Sequence, residues 1–137
     1  MQVSCSKGEK HCFTLCVCDN GKAYAWGDPY KGQLGTLPLG TSWTHEVQGM
    51  RPQPEAIALP DDIQAAKVIT GGIHGSLLTT DGQLFTWGCG SDGRLGHPEY
   101  EGFVYLYKES HAKKVEFFGN TPVKDMASAY YFMTCLS

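Results

Sequence analysis

The decapeptide WGDPYKGQLG at residues 26–35 returns as WGCGSDGRLG at residues 87–96. Trp26, Gly27, Gly32, Leu34 and Gly35 match Trp87, Gly88, Gly93, Leu95 and Gly96, each pair 61 residues apart. The match extends upstream, where DNGKAYAWG (19–27) lies over TDGQLFTWG (80–88) at the same spacing. Further back, GEKH (8–11) lies over GGIH (71–74) at a spacing of 63, so the first copy carries two extra residues before its D-N-G turn. An insertion of even length leaves every side chain of a strand on its own face. A chain that repeats at this interval is built from stacked units, each of which buries its apolar face only against a neighbour.

The glycines of the decapeptide raise a second possibility, a phosphate cradle. Such a loop needs lysine and then serine or threonine directly after a glycine. Here Gln33 follows Gly32 and Thr36 follows Gly35, and no G-x-G-x-x-G is present. The duplicate copy supports a different role: a tight turn that returns Leu34, and in the second copy Leu95, to the core.

HCFTLCV and KAYAWG are strand-like and are joined by Asp19-Asn20-Gly21, residues that tolerate the positive φ of a hairpin turn. GSLLTT and QLFTWG repeat this design around Asp81-Gly82. Tyr24 alternates with Trp26 and Phe85 with Trp87, which predicts equivalent buried positions for the two tryptophans. Residues 36–54 read as a long surface loop, EAIALP (55–60) as a short strand and DDIQAAK (61–67) as one helical turn, with AKVITGG entering the second copy. FVYLYKE (103–109) and KKVEFFG (113–119) are strand-like. Residues 123–137 open a third copy, with Ser128 and Tyr131 in the places of Gly71 and His74. The organisation expected is repeat one over 1–60, repeat two over 66–119 and the start of repeat three over 123–137.

The 137 residues are 42% hydrophobic and 18% charged, the balance of a folded chain. Lys and Arg total 11 against a net charge of −3, with no run longer than Lys113-Lys114, which leaves no footprint for nucleic acid or an anionic membrane surface. The N-terminus lacks the apolar core of an export signal, so a cytoplasmic or nuclear location is expected, with the six cysteines reduced. Cys5, His11, Cys12, Cys16 and Cys18 suggest zinc, but structural zinc sites use pairs such as C-x2-C, spaced so that a turn can wrap the metal, and the spacings here are C-x6-C-x3-C-x-C. CFTLCVC alternates as a strand would, and no metal is expected there.

Paired strands around D-G, then W-G, then G-x-L-G, with G-x-x-H upstream, resemble the regulator-of-chromosome-condensation repeat. The resemblance implies an all-β fold: β-propeller blades of four-stranded antiparallel sheets, here about two blades and the start of a third, a piece of a larger ring. Family members include exchange factors for small GTPases and interaction scaffolds. The function expected is a non-catalytic protein–protein interaction module. The alternative is a guanine-nucleotide exchange factor for a small GTPase, or part of one. No catalytic residue and no cofactor is expected. His11 and His74 recur with the repeat as structural hydrogen-bonders, and Asp19 and Asp81 are turn residues. The partner-contact candidates are Trp43 and Arg51 on the long loop, with Lys31 and Arg94 in the two G-x-L-G loops as loop charges. The partner expected is a protein, with a small GTPase as the alternative's choice, and exposed blade edges offer a route to self-association.

Overall fold

The computed structural model describes residues 1–6, 8, 11–39, 49–90, 94–97, 108–129 and 133–137. Among them, four strands form the first sheet: β1 (Gln2–Cys5), β2 (Phe13–Val17), β3 (Ala23–Gly27) and β4 (Arg51–Ala56), paired antiparallel in that order. The second sheet repeats this with β5 (Ala65–Thr70), β6 (His74–Thr79), β7 (Leu84–Cys89) and β8 (Lys108–Lys114). A two-stranded third sheet pairs β9 (Asp125–Ser128) with β10 (Met133–Leu136).

The sheets stack face to face. Phe13, Leu15, Val17, Ala23 and Ala25 of the first pack with Val68, Leu77, Phe85 and Trp87 of the second into one core. Leu78 and Leu84 on the second sheet's opposite face meet Val123 and Met126 of the third. Alternate residues of β6 and β7 thus serve two cores, and every residue of β6 is buried.

The D-G turns also tie each sheet to the next. Ala65 N–H donates to Gly21 O at 2.9 Å, and Val123 N–H donates to Gly82 O at 2.9 Å. Gly21 (φ 80°) and Gly82 (φ 85°) sit in the left-handed region, and a Cβ on either would strike Gln64 or Pro122 of the following unit. The first strands of successive sheets are joined by side chains. Gln2 Nε2 donates to Val68 O at 2.6 Å and Gln2 Oε1 accepts from Val68 N–H at 2.8 Å. Ser4 Oγ lies 2.9 Å from Thr70 Oγ1, and Lys67 Nζ lies 2.6 Å from Asp125 Oδ1.

Several expectations need correction. DDIQAAK forms no helical turn: Asp61-Asp62 is a tight turn with Asp62 at φ 65°, and β5 begins at Ala65, where Gly21 O captures its N–H. The fourth strand ends at Ala56 and starts at Arg51, inside the expected loop. Its Pro52 and Pro54 are tolerated because β4 is an edge strand. KKVEFFG is strand only as far as Lys114, and Glu116–Phe118 make a 3-10 turn. Of FVYLYKE, residues 103–107 lie outside the described residues.

The third copy is also registered one residue away from the expected alignment. Ser128 pairs with Met133 and Met126 with Cys135, matching Thr70 with Gly75 and Val68 with Leu77. Ser128 therefore takes the place of Thr70, not Gly71. Burial enforces the choice, because the one-residue alternative would turn Met126 out of the second core.

Candidate functional site

The repeated decapeptide has a structural task first. In the turn at residues 30–35, Gln33 and Leu34 are buried, and Gly32 and Gly35 adopt φ 74° and 67°. The turn lies on the second sheet. Trp87 Nε1–H donates to Gln33 O at 2.8 Å, and a Cβ on Gly35 would come within 2.8 Å of the Trp87 ring. Leu37 N–H continues the contact by donating to Ser110 O at 3.2 Å, and Thr36 bridges His111. Trp87 is 0% exposed as a result. Trp26 holds the equivalent register position, opposite Thr14 as Trp87 is opposite Gly75, but is only half-buried. The expectation of equal burial is corrected for a physical reason: among the described residues no turn covers Trp26 as residues 32–35 cover Trp87.

The titratable groups are engaged in holding the fold. His11 Nδ1 lies 2.9 Å from Asp28 Oδ2, and Asp28 Oδ1 accepts from Tyr30 N–H at 2.9 Å, so the pair braces the start of the turn. His74 is 0% exposed, and its Nε2 lies 3.3 Å from Ser128 Oγ of the third sheet. Thr86 Oγ1 donates to Leu95 O at 2.6 Å and therefore accepts from His97 Nε2–H at 2.7 Å. Burial, with Lys113 adding to it, pushes the His97 pKa down to about 4. Glu109, buried in β8, lies 3.2 Å from Lys113 Nζ and 3.6 Å from His111 Nδ1, and burial lowers the His111 pKa. None of these groups presents a nucleophile beside a base at an open surface.

Cys16 lies in β2 between Val3 and Tyr24, and burial raises its thiol pKa. Among the described residues no three His, Cys, Asp or Glu side chains are grouped to hold a metal ion. Two clefts of about 190 and 260 Å³ flank the turns at Asp81–Leu84 and at Val17–Asp19. Both fall below the roughly 300–1,000 Å³ of typical small-molecule sites.

What faces solvent is the end of the first sheet where β3 leaves and β4 enters. Tyr30 (47% exposed) and Met50 (60%) stand there with exposed Lys31 and half-buried Arg51. Tyr30 Oη accepts from Gly49 N–H at 3.5 Å, which places the tyrosine against the entry to β4. Arg51 NH1 lies 3.8 Å from Glu55 Oε1. Of the four sequence candidates, the structure thus brings Lys31 and Arg51 to one end. Arg94 is 5% exposed, so its reading as a solvated loop charge is corrected. Trp43 lies outside the described residues. Tyr30 and Met50 were missed because neither belongs to a periodic segment, and only Tyr30's place inside the repeated decapeptide marked it.

Four-stranded antiparallel sheets stacked face to face, with a turn from one closing over the tryptophan of the next, define a β-propeller repeat protein. Residues 81–136 match the family model of the regulator of chromosome condensation (RCC1) repeat. The human E3 ubiquitin-protein ligase HERC2 is 34% identical over 100 residues, which span 73% of this chain and 2% of that protein. The human regulator of chromosome condensation is 31% identical over 94 residues, 69% of this chain and 20% of that protein. The structure of Prp20p from Saccharomyces cerevisiae superposes with a TM-score of 0.72 at 23% identity, over 97% of this chain and 30% of that one. The chain belongs to the RCC1 repeat family, and it spans a fifth or less of the length of these two human relatives.

Proposed function

We propose that this chain is a non-catalytic protein-interaction module: a partial propeller, with repeats over 1–60 and 66–119 and the start of a third over 123–137. It binds a protein partner through the end that carries Tyr30, Lys31, Met50 and Arg51, with Trp43 between them in sequence. The observation that carries this reading is the exposed aromatic, cationic and thioether cluster fixed by the Tyr30–Gly49 contact. Tyr, Trp, Arg and Met are the residue types enriched at interfaces. Its relatives support the reading, since RCC1-type repeats occur in proteins as different as a ubiquitin ligase and the regulator of chromosome condensation. A repeat found beside different activities fits a binding part better than a reactive one. The location proposed is cytoplasmic or nuclear.

The second reading, part of an exchange factor for a small GTPase, is favoured by the likeness to Prp20p, which has binding properties toward Gsp1p and histones. One experiment separates the two. A photo-crosslinking residue is placed at position 30, and in a control protein at position 62 in the turn at the opposite end. Nucleotide release from a panel of small GTPases is measured in parallel. Crosslinks to a defined protein from position 30 alone, without accelerated release, support the module. Accelerated release supports the exchange reading, and equal crosslinking from both positions contradicts the loop-end assignment.

A further inference from the structure

The connection from β8 to β9, residues 115–124, lies beside the Asp81-Gly82 turn, at the end of the sheets away from Tyr30 and Met50. Glu116–Phe118 form its 3-10 turn, and Gly119, Asn120, Thr121 and Pro122 then follow one another exposed. The segment is fastened at both sides of its tip. Thr121 N–H donates to Phe118 O at 2.8 Å, and Val123 N–H donates to Gly82 O at 2.9 Å. Pro122 sits against Gly82, where a Cβ would strike it.

Within the sheets the hydroxyls of Thr70, Ser76, Thr79 and Thr86 are committed, to Cys5 O, Ile69 O, Asp81 and Leu95 O. Thr121 differs: its side chain is exposed and its hydroxyl makes no hydrogen bond among the described residues. It is followed by Pro122, the one Ser/Thr-Pro step in the sequence, and then by Val123 and Lys124. Proline removes a backbone N–H and biases the residue before it toward extended backbone. Extended backbone is what a kinase cleft accepts, and kinases that require this proline commonly favour a basic residue two positions beyond it. Here Pro122 and Lys124 are exposed, while Val123 between them is 3% exposed and turned into the core. The side chains such an enzyme reads face outward and the one it ignores faces in.

We propose that Thr121 is phosphorylated by a proline-directed protein kinase and that the phosphate pairs with Lys114. In the transfer Thr121 Oγ1 bonds to the γ-phosphorus of ATP, the bond to the β-phosphate oxygen breaks, ADP leaves, and the hydroxyl proton passes to the kinase's carboxylate base. Thr121 and Lys114 line the same cleft of about 190 Å³. Lys114 makes no ion pair among the described residues, and Asp81, the carboxylate lining that cleft, is already held by Thr79 and Gln83. A phosphate brings nearly two negative charges and three acceptor oxygens. Lys114 is the cation it meets there, and the pair straps the connection to the end of β8. The site shares no residue with the Tyr30 end and stands or falls independently of the interaction reading.

The folded whole chain, incubated with ATP and a purified proline-directed kinase of the cyclin-dependent type and read by peptide mass spectrometry, tests the site. One phosphate on Thr121 is expected. Thr121→Val, which removes only an exposed hydroxyl, is expected to lose it, and Pro122→Ala to lose most of it. Lys114→Gln is expected to be modified as the wild-type chain is. Modification of the heat-unfolded chain but not of the folded one, modification of another residue in place of Thr121, or equal modification of Pro122→Ala overturns the site. Phosphorus NMR of the modified chains across a pH series tests the pairing. The second ionisation of a phosphothreonine, ordinarily at a pKa of about 6, is expected a few tenths of a pH unit lower in the wild-type chain than in Lys114→Gln, the size of shift an exposed ion pair gives. Equal values in the two overturn the pairing.

Discussion

Gly35 lies flat against the indole of Trp87, so close that a Cβ on the glycine would stand 2.8 Å from three ring atoms. Gly35 belongs to the turn of the first repeat and Trp87 to the third strand of the second. Two residues that look like parts of one motif, W-G-x4-G-x-L-G, therefore meet across the boundary between units. The turn's glycine is small so that the next unit's tryptophan can be large.

Gly35→Ala therefore carries two penalties, overpacking against the indole and a side chain at φ 67°. Together these are expected to cost roughly 2–4 kcal/mol. Gly96→Ala is the control. Its φ is 72°, but its nearest neighbour is Val115 Cγ1 at 3.4 Å, ordinary contact. The expected cost there is about 1 kcal/mol, from the backbone alone. Urea unfolding of both variants checks the difference, and equal losses would contradict the seat.

Trp87→Ala is expected to destabilise by roughly 3–5 kcal/mol, the usual cost of deleting a fully buried large side chain. Trp26→Ala is expected to cost clearly less, because its ring is only half-buried. The same unfolding measurements check the order of the two variants.

His97 makes stability fall with acid. It is a base whose folded pKa, about 4, lies below its ordinary value of 6.5. Between those values the unfolded chain binds more protons than the folded one, so stability rises with pH across the window and is lost as pH falls through it. The separation corresponds to about 3 kcal/mol between neutral pH and pH 4. Three native carboxylates held below their ordinary range, Asp81 by Thr79 and Gln83, Asp125 by Lys67 and Asp19 by the N-terminus, lose their contribution only at still lower pH. His97→Gln keeps a donor toward Thr86 and is expected to flatten the slope between pH 6.5 and 4. His111, shifted the same way, supplies the slope that remains.

Lys31→Glu with Arg51→Glu reverses charge at the proposed loop end. Stability is expected to change little, since Lys31 is exposed and the Arg51–Glu55 pair is solvent-screened. Partner binding, once the crosslinked protein is identified, is expected to weaken at least tenfold by titration calorimetry. Unchanged affinity would move the interface away from this end.

The paired strands, the D-G hairpins and the equivalence of Trp26 with Trp87 were legible because each lies in a segment where the repeat and the period of two agree. Burial of Trp87 alone was not, because its cover comes from residues 32–37, in another unit of the chain. The middle of β8, residues 110–112, was missed because KESHAKK has no apolar alternation. Glu109 of β8 instead lies between Lys113 Nζ at 3.2 Å and His111 Nδ1 at 3.6 Å, a charged grouping and not an apolar face. The third copy slipped by one residue because the helpful landmarks, two glycines and a histidine, are missing there, and only the burial of Met126 decides the register. Of the site, Lys31 and Arg51 were within reach as loop charges. Arg94 holds the repeat position of buried Gln33, not that of Lys31, and is itself buried, since charge alone does not reveal which way a turn position faces.

Hydrogen exchange at the tryptophan indoles tests the stacking of one repeat on the next most directly. Trp87 Nε1–H is buried and donates to Gln33 O at 2.8 Å, across the boundary between units. Its proton–nitrogen NMR cross-peak, assigned by its disappearance in Trp87→Phe, is expected to persist long after transfer to heavy water, while that of half-buried Trp26 fades far sooner. Gly35→Ala is expected to accelerate exchange at Trp87 and leave Trp26 unchanged. Loss of both wild-type peaks at the same rate would contradict the seating of Trp87 beneath the turn of the preceding repeat.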